Sequence, residues 1–309
     1  IIHCFDPEYL IGTSGQFLYD LNCIVNSRKH NFDIILQLGY TSSAIWNRLM
    51  PKKSILVTNM DGIEWKRSKF SNRVQKFLKY AEGLAVKYSD YFIADSIGIQ
   101  QYLKKECQVE STYIPYGAEV MKNPDSNILS KYNLKEYNYD IVIARMESEN
   151  NIEMILEGYV KSNKERMFVV VGSLNTPFGK YISKRYQDEK IIFIGFVSGI
   201  EKLSSLRYYS NLYFHGHSVG GTNPSLLEAM SSNSLICAHD NVFNKSILEK
   251  DAFYFNDAEK ISRLINEEVK SLENHLVKSN LEKIKNLYSW NKIVNDYELF
   301  FQKINNIAY

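Results

Sequence analysis

Apolar residues fall in short runs separated by amphipathic stretches over almost the whole chain. The runs at residues 33–38, 54–59, 90–94 and 111–114 predict strands, and a second series follows at 139–144, 167–172, 190–194, 211–215, 234–238 and 252–255. Between them, helical spacing marks 71–88, 97–106, 151–162 and 224–232. Alternation of this kind argues for an α/β fold with parallel sheets covered by helices on both faces. No internal repeat interrupts the pattern.

A polar stretch after Pro115-Tyr116-Gly117, running to Tyr137, sets a boundary. It predicts domains at 1–130 and 131–309, with terminal helices of the second able to cross back to the first. Ligands of doubly wound sheets bind beyond the carboxyl ends of the strands. Asp61, Ser96, Arg145, Gly172, Gly195, His215 and His239 each close or follow a predicted strand. Core residues would not gather at one end of so many strands.

Composition narrows the classes. A chain of 309 residues, 45% apolar and 23% charged, has material for two buried cores. The net charge of +2 gives no electrostatic case for nucleic acid. The 22 Tyr and 16 Phe suit stacking on sugars or bases as well as cores. Cys4, Cys23, Cys107 and Cys237 show no paired metal-ligand spacing, which points to a reducing cytoplasm. No apolar run approaches the ~20 residues of a membrane span. Residues 1–11 contain His, Asp and Glu, unlike a signal peptide.

The chemistry concentrates at 215–230, His-Gly-His-Ser-Val-Gly-Gly-Thr-Asn-Pro-Ser-Leu-Leu-Glu-Ala-Met. It reads as strand, glycine-containing loop, then helix. Asn223 suits the N-cap and Pro224 the first helical position. Gly220 and Gly221 let the backbone approach a ligand, and amides near Thr222, Asn223 and Ser225 with the helix dipole make a phosphate site. Glu228 lies five residues past the cap, roughly 7.5 Å along the axis at ~1.5 Å per residue. That is about the distance from a diphosphate to the ribose hydroxyls of the same nucleotide, from which a carboxylate accepts hydrogen bonds. The plainer alternative is a tight loop before a capped helix, with Glu228 on a solvated face.

This segment resembles the nucleotide-sugar motif of the retaining family 4 glycosyltransferases, and more closely the bacterial polysaccharide transferases that include rhamnosyltransferases. The resemblance implies the GT-B fold, two doubly wound Rossmann-like domains facing a cleft. Gly220 stands where the wider family has a Glu eight positions before the helix Glu. In Ala144-Arg145-Met146-Glu-Ser-Glu-Asn150-Asn151, Arg145 matches the family's strand-end Arg, whereas Asn150 replaces its Lys. Arg145 is then implied to hold a diphosphate with forked hydrogen bonds, the alternative being a surface salt bridge. Gly172, at the next strand end, joins the implied nucleotide-sugar residues. Phe193-Ile-Gly-Phe196-Val197 resembles the base-binding strand end, or is an ordinary buried strand. Residues 238–244 resemble the loop facing the donor, where Asn241, Phe243 and Asn244 either touch the ligand or shape the loop. His215 and His217 divide between substrate contact and loop support, with no proton-transfer role assigned.

In the first domain, residues 58–70 resemble the subgroup's DG-x-EW-x-R-x-K motif. Asp61 and Glu64 are implied to bond sugar hydroxyls and are grouped with Arg145 as catalytic. Arg67 either meets an acceptor phosphate or fixes Glu64 in a salt bridge. Ala94-Asp95-Ser96 and residues 113–117 also match. Residues 66–80 carry Lys66, Arg67, Lys69, Arg73, Lys76 and Lys79 with no acid, and Phe70, Val74 and Phe77 at helical spacing. This is either a basic helix on an anionic membrane, with Arg67, Lys69, Arg73 and Lys76 as acceptor or membrane residues, or a core stripe with a solvated basic face.

The expectation is a retaining hexosyltransferase of surface-polysaccharide assembly at the inner face of the cytoplasmic membrane. It uses no metal or other cofactor, because no Asp-x-Asp pair occurs. The resemblance favours dTDP-L-rhamnose as donor, with UDP-galactose or UDP-glucose behind it, and a polyprenyl-linked saccharide or glycan as acceptor. Alternatives are a sugar-nucleotide epimerase and a catalytically silent nucleotide-sugar-binding subunit. Nothing in residues 1–15 resembles the family's opening strand and glycine loop. The first domain is therefore expected to lack roughly 60 residues, two β/α units of ~30 each.

Overall fold

A computed structural model describes residues 1–307 except Ser68, Lys164 and Val219, and of Ile307 the backbone alone. Ser68 of the 58–70 motif and Val219 of the 215–230 segment thus lie outside the described residues. The chain divides into two compact units, Ile1–Pro115 with Val294–Tyr309, and Tyr116–Ile293.

All ten expected strands form. Unit 1 holds β1 (Ile34–Leu38), β2 (Ile55–Met60), β3 (Tyr91–Ala94) and β4 (Thr112–Tyr113), paired in that order and all parallel. β2 and β3 are central, and Leu56, Val57, Met60, Phe92, Ile93 and Ala94 are buried. β1 is the edge, and Leu38 on it is 77% exposed. The Asn72–Tyr88 helix turns Leu78, Ala81 and Ala85 inward, and Phe300 of the Trp290–Ile307 helix packs edge-on against Tyr91. The helix expected over 97–106 is α-helical over Ile97–Tyr102. It continues as a π-helical turn, Leu103–Cys107, and stops at Gln108 with φ 58°.

Unit 2 holds β5 (Tyr139–Ile143), β6 (Met167–Val171), β7 (Ile191–Gly195), β8 (Tyr213–His215), β9 (Ile236–His239) and β10 (Phe253–Phe255). They pair as β10-β9-β8-β5-β6-β7, all parallel. Counted within the unit, this is the doubly wound order in which the winding reverses between the first and fourth strands. Successive residues feed two cores, as a sheet buried on both faces requires. Ile141, Val169, Val171, Tyr213 and Ile236 face one, with Leu226, Leu227 and Met230 of the Pro224–Ser231 helix. Val142, Phe168, Val170, Phe214 and Cys237 face the other, with Ile155 and Leu156 of the Ile152–Lys161 helix. The reversal puts the loops after β5 and β8 side by side. Among the described residues no helix is long and apolar enough to cross a membrane.

Candidate functional site

The loops after β5 and β8 carry Arg145 and residues 216–223, and they are stitched together. Asn150 Nδ2 donates to the Arg145 carbonyl at 2.8 Å, and its Oδ1 lies 2.9 Å from His217 Nδ1. Asn151 Nδ2 donates to the Gly216 carbonyl at 2.7 Å, while Ser218 Oγ donates to the Glu149 carbonyl at 2.8 Å. The approach is so close that a Cβ on Gly216 would sit 2.0 Å from the Asn150 carbonyl oxygen. Asn150, standing where the resembling family has a cation, is therefore a buried clamp between the two loops. Gly172 has a similar origin, since a Cβ there would meet the Ala144 carbonyl oxygen at 2.2 Å. Packing accounts for this glycine without a ligand.

Arg145 stands differently. It is exposed, and among the described residues its guanidinium joins no ion pair. The surface salt bridge considered for it does not form. Its main chain is fixed by Asn150 and by the Glu147 amide, which donates to the Arg145 carbonyl at 2.8 Å. A planar cation with five donors is held at a strand end with those donors unspent.

The Pro224–Ser231 helix begins as the sequence suggests, with Asn223 at the N-cap and Pro224 first. Its own amides, however, are already taken. Pro224 has none, Asn223 Oδ1 accepts from Ser225 N at 2.9 Å, and the Asn223 carbonyl accepts from Leu226 N and Leu227 N. The donors left over lie one step earlier. Among the described residues, the amides of Gly220, Gly221 and Asn223 meet no acceptor of the chain. Gly220 has φ 131°, a conformation in which a side chain would be strained. The amides without an acceptor thus lie at Gly220, Gly221 and Asn223, a step before the helix, with Thr222 buried among them.

Ser225, expected at the nucleotide, turns inward. Its hydroxyl lies 3.0 Å from Arg207 Nη2 and 3.0 Å from the Tyr213 hydroxyl. Arg207, on the Ile200–Tyr208 helix, is 1% exposed and also reaches Glu228 Oε2 at 2.8 Å. Glu228 keeps 31% of its side chain exposed and lines a cavity of about 970 Å³ with Ser204, Pro224, Ser231, Lys122 and Trp290. So Glu228 lies neither on a freely solvated face nor against a ligand group alone. Arg207 carried no signal in the sequence, because a cation in an amphipathic helix reads as a solvated position.

Three histidines border the same loops. His215 is buried, and burial drives its pKa down to about 3, with repulsion from His217, Arg207 and His239 adding to this. The ring is neutral, and its Nε2 has no hydrogen-bond partner among the described residues. Burial also lowers the pKa of His239. Asn241 caps the Val242–Leu248 helix, accepting from Phe243 N and Asn244 N at 3.0 Å. Its Nδ2 donates to the His217 and His239 carbonyls, and Asn244 Nδ2 does the same at 3.1 and 2.9 Å. Of the two readings open for these asparagines, the structure commits their amide groups to loop architecture. Phe196 is exposed, whereas Val197 joins the core beside it.

In unit 1, Arg67 Nη2 holds Glu64 Oε1 at 2.8 Å, so the internal salt bridge forms. Trp65 Nε1 donates to Glu82 Oε2 at 3.1 Å, and Lys79 Nζ and the Tyr102 hydroxyl donate to Glu82 Oε1 at 2.5 and 2.8 Å. Asp61 follows β2 and, with Glu64, lines a cavity of about 830 Å³ that includes Gln37, Tyr19 and Ser42. Burial raises the pKa of the Asp61 carboxyl, against the opposing pull of its own amide and Arg67. Ser96 caps the Ile97–Tyr102 helix through Ile99 N. Of the expected stripe on the Asn72–Tyr88 helix, Phe77 packs on Phe17 but Val74 is exposed. Arg73 and Lys76 are exposed, and Lys69 lies over the Phe70 ring. Among the described residues no group of three or more His, Cys, Asp or Glu side chains is placed to hold a metal ion.

Comparison with known proteins adds the fold's identity. A family described as a domain of unknown function, DUF1972, matches residues 17–119. No curated protein matches. Among solved structures, sucrose-phosphate synthase from Thermosynechococcus elongatus is similar at TM-score 0.78 and 14% identity, over 94% of this chain and 78% of that one. A glycosyltransferase from Rickettsia africae is similar at 0.72 and 16% identity, over 98% and 84%. Anabaena HepE in complex with UDP-glucose is similar at 0.75 and 14% identity, over 93% and 82%. The chain has the GT-B fold, with a Rossmann-like parallel sheet in each unit.

Proposed function

We propose that this GT-B chain is a glycosyltransferase that draws its sugar from a nucleoside diphosphate. The observation that carries the reading is the set of unspent donors at the winding reversal of unit 2. The forked cation of Arg145 and the amides of Gly220, Gly221 and Asn223 suit a diphosphate. Glycosyltransferases among the structural neighbours, one of them in complex with UDP-glucose, support the same reading. Glu228, beyond the capped helix start, is assigned to the ribose hydroxyls.

In the reaction, the bond between the anomeric carbon and the phosphate oxygen breaks, and its electron pair leaves with the diphosphate. Arg145 and the loop amides stabilise that developing charge, the kind of preorganised contribution that is usually the largest in catalysis. The acceptor hydroxyl attacks the anomeric carbon from the face the phosphate leaves, giving retention, and its proton passes to the leaving phosphate oxygen. This route needs no side-chain base, and neutral His215 is not asked to be one. Asp61 in unit 1, with its pKa raised by burial, is assigned to a sugar hydroxyl.

The finer reading is a metal-independent transfer of L-rhamnose from dTDP-L-rhamnose to a polyprenyl-linked saccharide or glycan. It rests on the GGTNPSLLEA sequence at 220–229. The deciding experiment follows nucleoside diphosphate release from dTDP-rhamnose, UDP-galactose and UDP-glucose, with and without acceptor and EDTA. Acceptor-dependent release that survives EDTA is expected. Release without acceptor would indicate an epimerase, no release a binding subunit, and restoration by Mg²⁺ after EDTA would overturn the metal-free step.

A further inference from the structure

We infer that Arg207 is a positioning residue for Glu228: its buried guanidinium sets the carboxylate so that the oxygen not bound to it accepts from a ribose hydroxyl. This rests on the nucleotide-sugar reading above and adds to it a residue from a different helix.

The geometry is a polar chain from Glu228 through Arg207 and Ser225 to Tyr213. One nitrogen, Arg207 Nη2, bonds both Glu228 Oε2 at 2.8 Å and Ser225 Oγ at 3.0 Å, and the Ser225 hydroxyl in turn meets the Tyr213 hydroxyl at 3.0 Å. The guanidinium carbon lies 5.6 Å from the centre of the Tyr213 ring, within cation–π range. Arg207 is thus fixed by three neighbours, while Glu228 is held at one oxygen and open at the other side to the 970 Å³ cavity.

Stability is a poor explanation for this arrangement. A buried ion pair is weak evidence for stabilisation, since desolvation offsets the attraction. Here two further donors, Arg207 Nε and Nη1, are buried without a partner among the described residues, which adds to the cost of folding. What the arrangement secures is orientation. A carboxylate already anchored loses less side-chain freedom when a ligand binds.

The test is calorimetry on the whole chain with UDP and its 2′,3′-dideoxy form, dTDP (whose sugar has the 3′-hydroxyl alone) and its 3′-deoxy form, and pyrophosphate. The native chain should prefer the hydroxylated nucleotides. Arg207→Met should reduce that preference by on the order of tenfold, the scale of one charge-assisted hydrogen bond. Pyrophosphate affinity should stay within about twofold of native, since the phosphate donors are untouched. Glu228→Gln should do the same, the double variant should lose no more than either single one, and Arg207→Lys should recover part of the preference. A merely structural Arg207 would weaken all ligands alike and leave the preference intact, which overturns the inference. If thermal melting shows that Arg207→Met does not fold, Arg207→Lys decides on the same ratio. A native chain that binds neither UDP nor dTDP removes the functional reading and this inference together. Binding whose hydroxyl preference ignores Arg207 removes the inference alone.

Discussion

The loop after β2 in unit 1, Asp61 apart, settles its carboxylates internally. Glu64 is bound by Arg67, and Trp65 is tied to Glu82, which also takes Lys79 and Tyr102. The loops after β5 and β8 in unit 2 do the reverse. Their asparagines and backbone carbonyls clamp one another, and that clamping leaves the Arg145 guanidinium and three amides unspent. Both clusters are dense in polar residues at strand ends, so density alone does not mark a ligand site. The informative quantity is what remains after internal partners are counted, and among the described residues of unit 2 it includes the Arg145 guanidinium and the amides of Gly220, Gly221 and Asn223. Donors held in this way suit an anion.

The contrast breaks first at Glu82, where the largest effect is expected. Glu82→Ala leaves the Trp65 and Tyr102 donors without their carboxylate inside unit 1. At ~1–3 kcal/mol for each buried group stranded, about 3 kcal/mol of stability should be lost. Urea unfolding would show a lower midpoint, and a variant as stable as the native chain would mean that the knot carries no load. Second, Arg145→Ala should lower acceptor-dependent nucleotide release by ~100-fold while leaving the urea midpoint unchanged, because among the described residues its guanidinium joins no ion pair or hydrogen bond. Lys at this position should rescue only partly, having charge without the fork. An active Arg145→Ala would place the phosphate site elsewhere.

A third prediction uses the neutral histidine beneath the open loops. His215 has a pKa near 3 in the folded chain against about 6.5 unfolded. The unfolded state therefore binds the extra proton first, and stability falls as pH drops below 6.5 toward 3. At pH 5 the deficit from this one group is on the order of 2 kcal/mol. His215→Asn should flatten that part of the pH–stability curve relative to the native chain, without changing it between pH 7 and 8. Parallel curves for the two proteins would show that the ring is not held neutral by burial.

The strands were legible because parallel, doubly covered sheets demand near-continuous apolar runs, and each of the ten runs became a strand within two residues or so of its expected ends. The Asn223 cap was legible because Asn-Pro is a local signal. The strand order was not, since crossovers place strands by packing that no short window contains. Arg207 and Glu82 were invisible for the same reason. A charged residue in a helix announces exposure, and only the packed neighbours show that it is buried. The asparagines at 150, 241 and 244 showed as loop residues, but which carbonyls they tie down depends on loops brought together from distant sequence. Among the described residues the amides without an acceptor lie a step before the cap, because the cap that marks a helix start also consumes its donors.

The smallest effect concerns the basic surface of the Asn72–Tyr88 helix, and here the structure sharpens which charges count. Lys79 is committed to Glu82 and Arg67 to Glu64, so neither offers its full charge outward. Arg73 and Lys76 are exposed, next to exposed Val74 and Tyr80. A basic side chain near an anionic lipid surface contributes about 1 kcal/mol, and the attraction fades over a screening length of ~10 Å at 0.1 M salt. If this face meets a membrane, the protein should sediment with anionic vesicles at low salt and come off at high salt. Arg73→Glu with Lys76→Glu should then abolish binding while leaving the melting temperature unchanged, because neither side chain is in a salt bridge among the described residues. Lys79→Glu should instead lower stability by disturbing Glu82, a separation that a uniformly solvated basic stripe would not produce. Equal recovery on neutral and anionic vesicles would assign the whole face to solvent, and the contrast between committed and open charges would then hold for unit 2 alone.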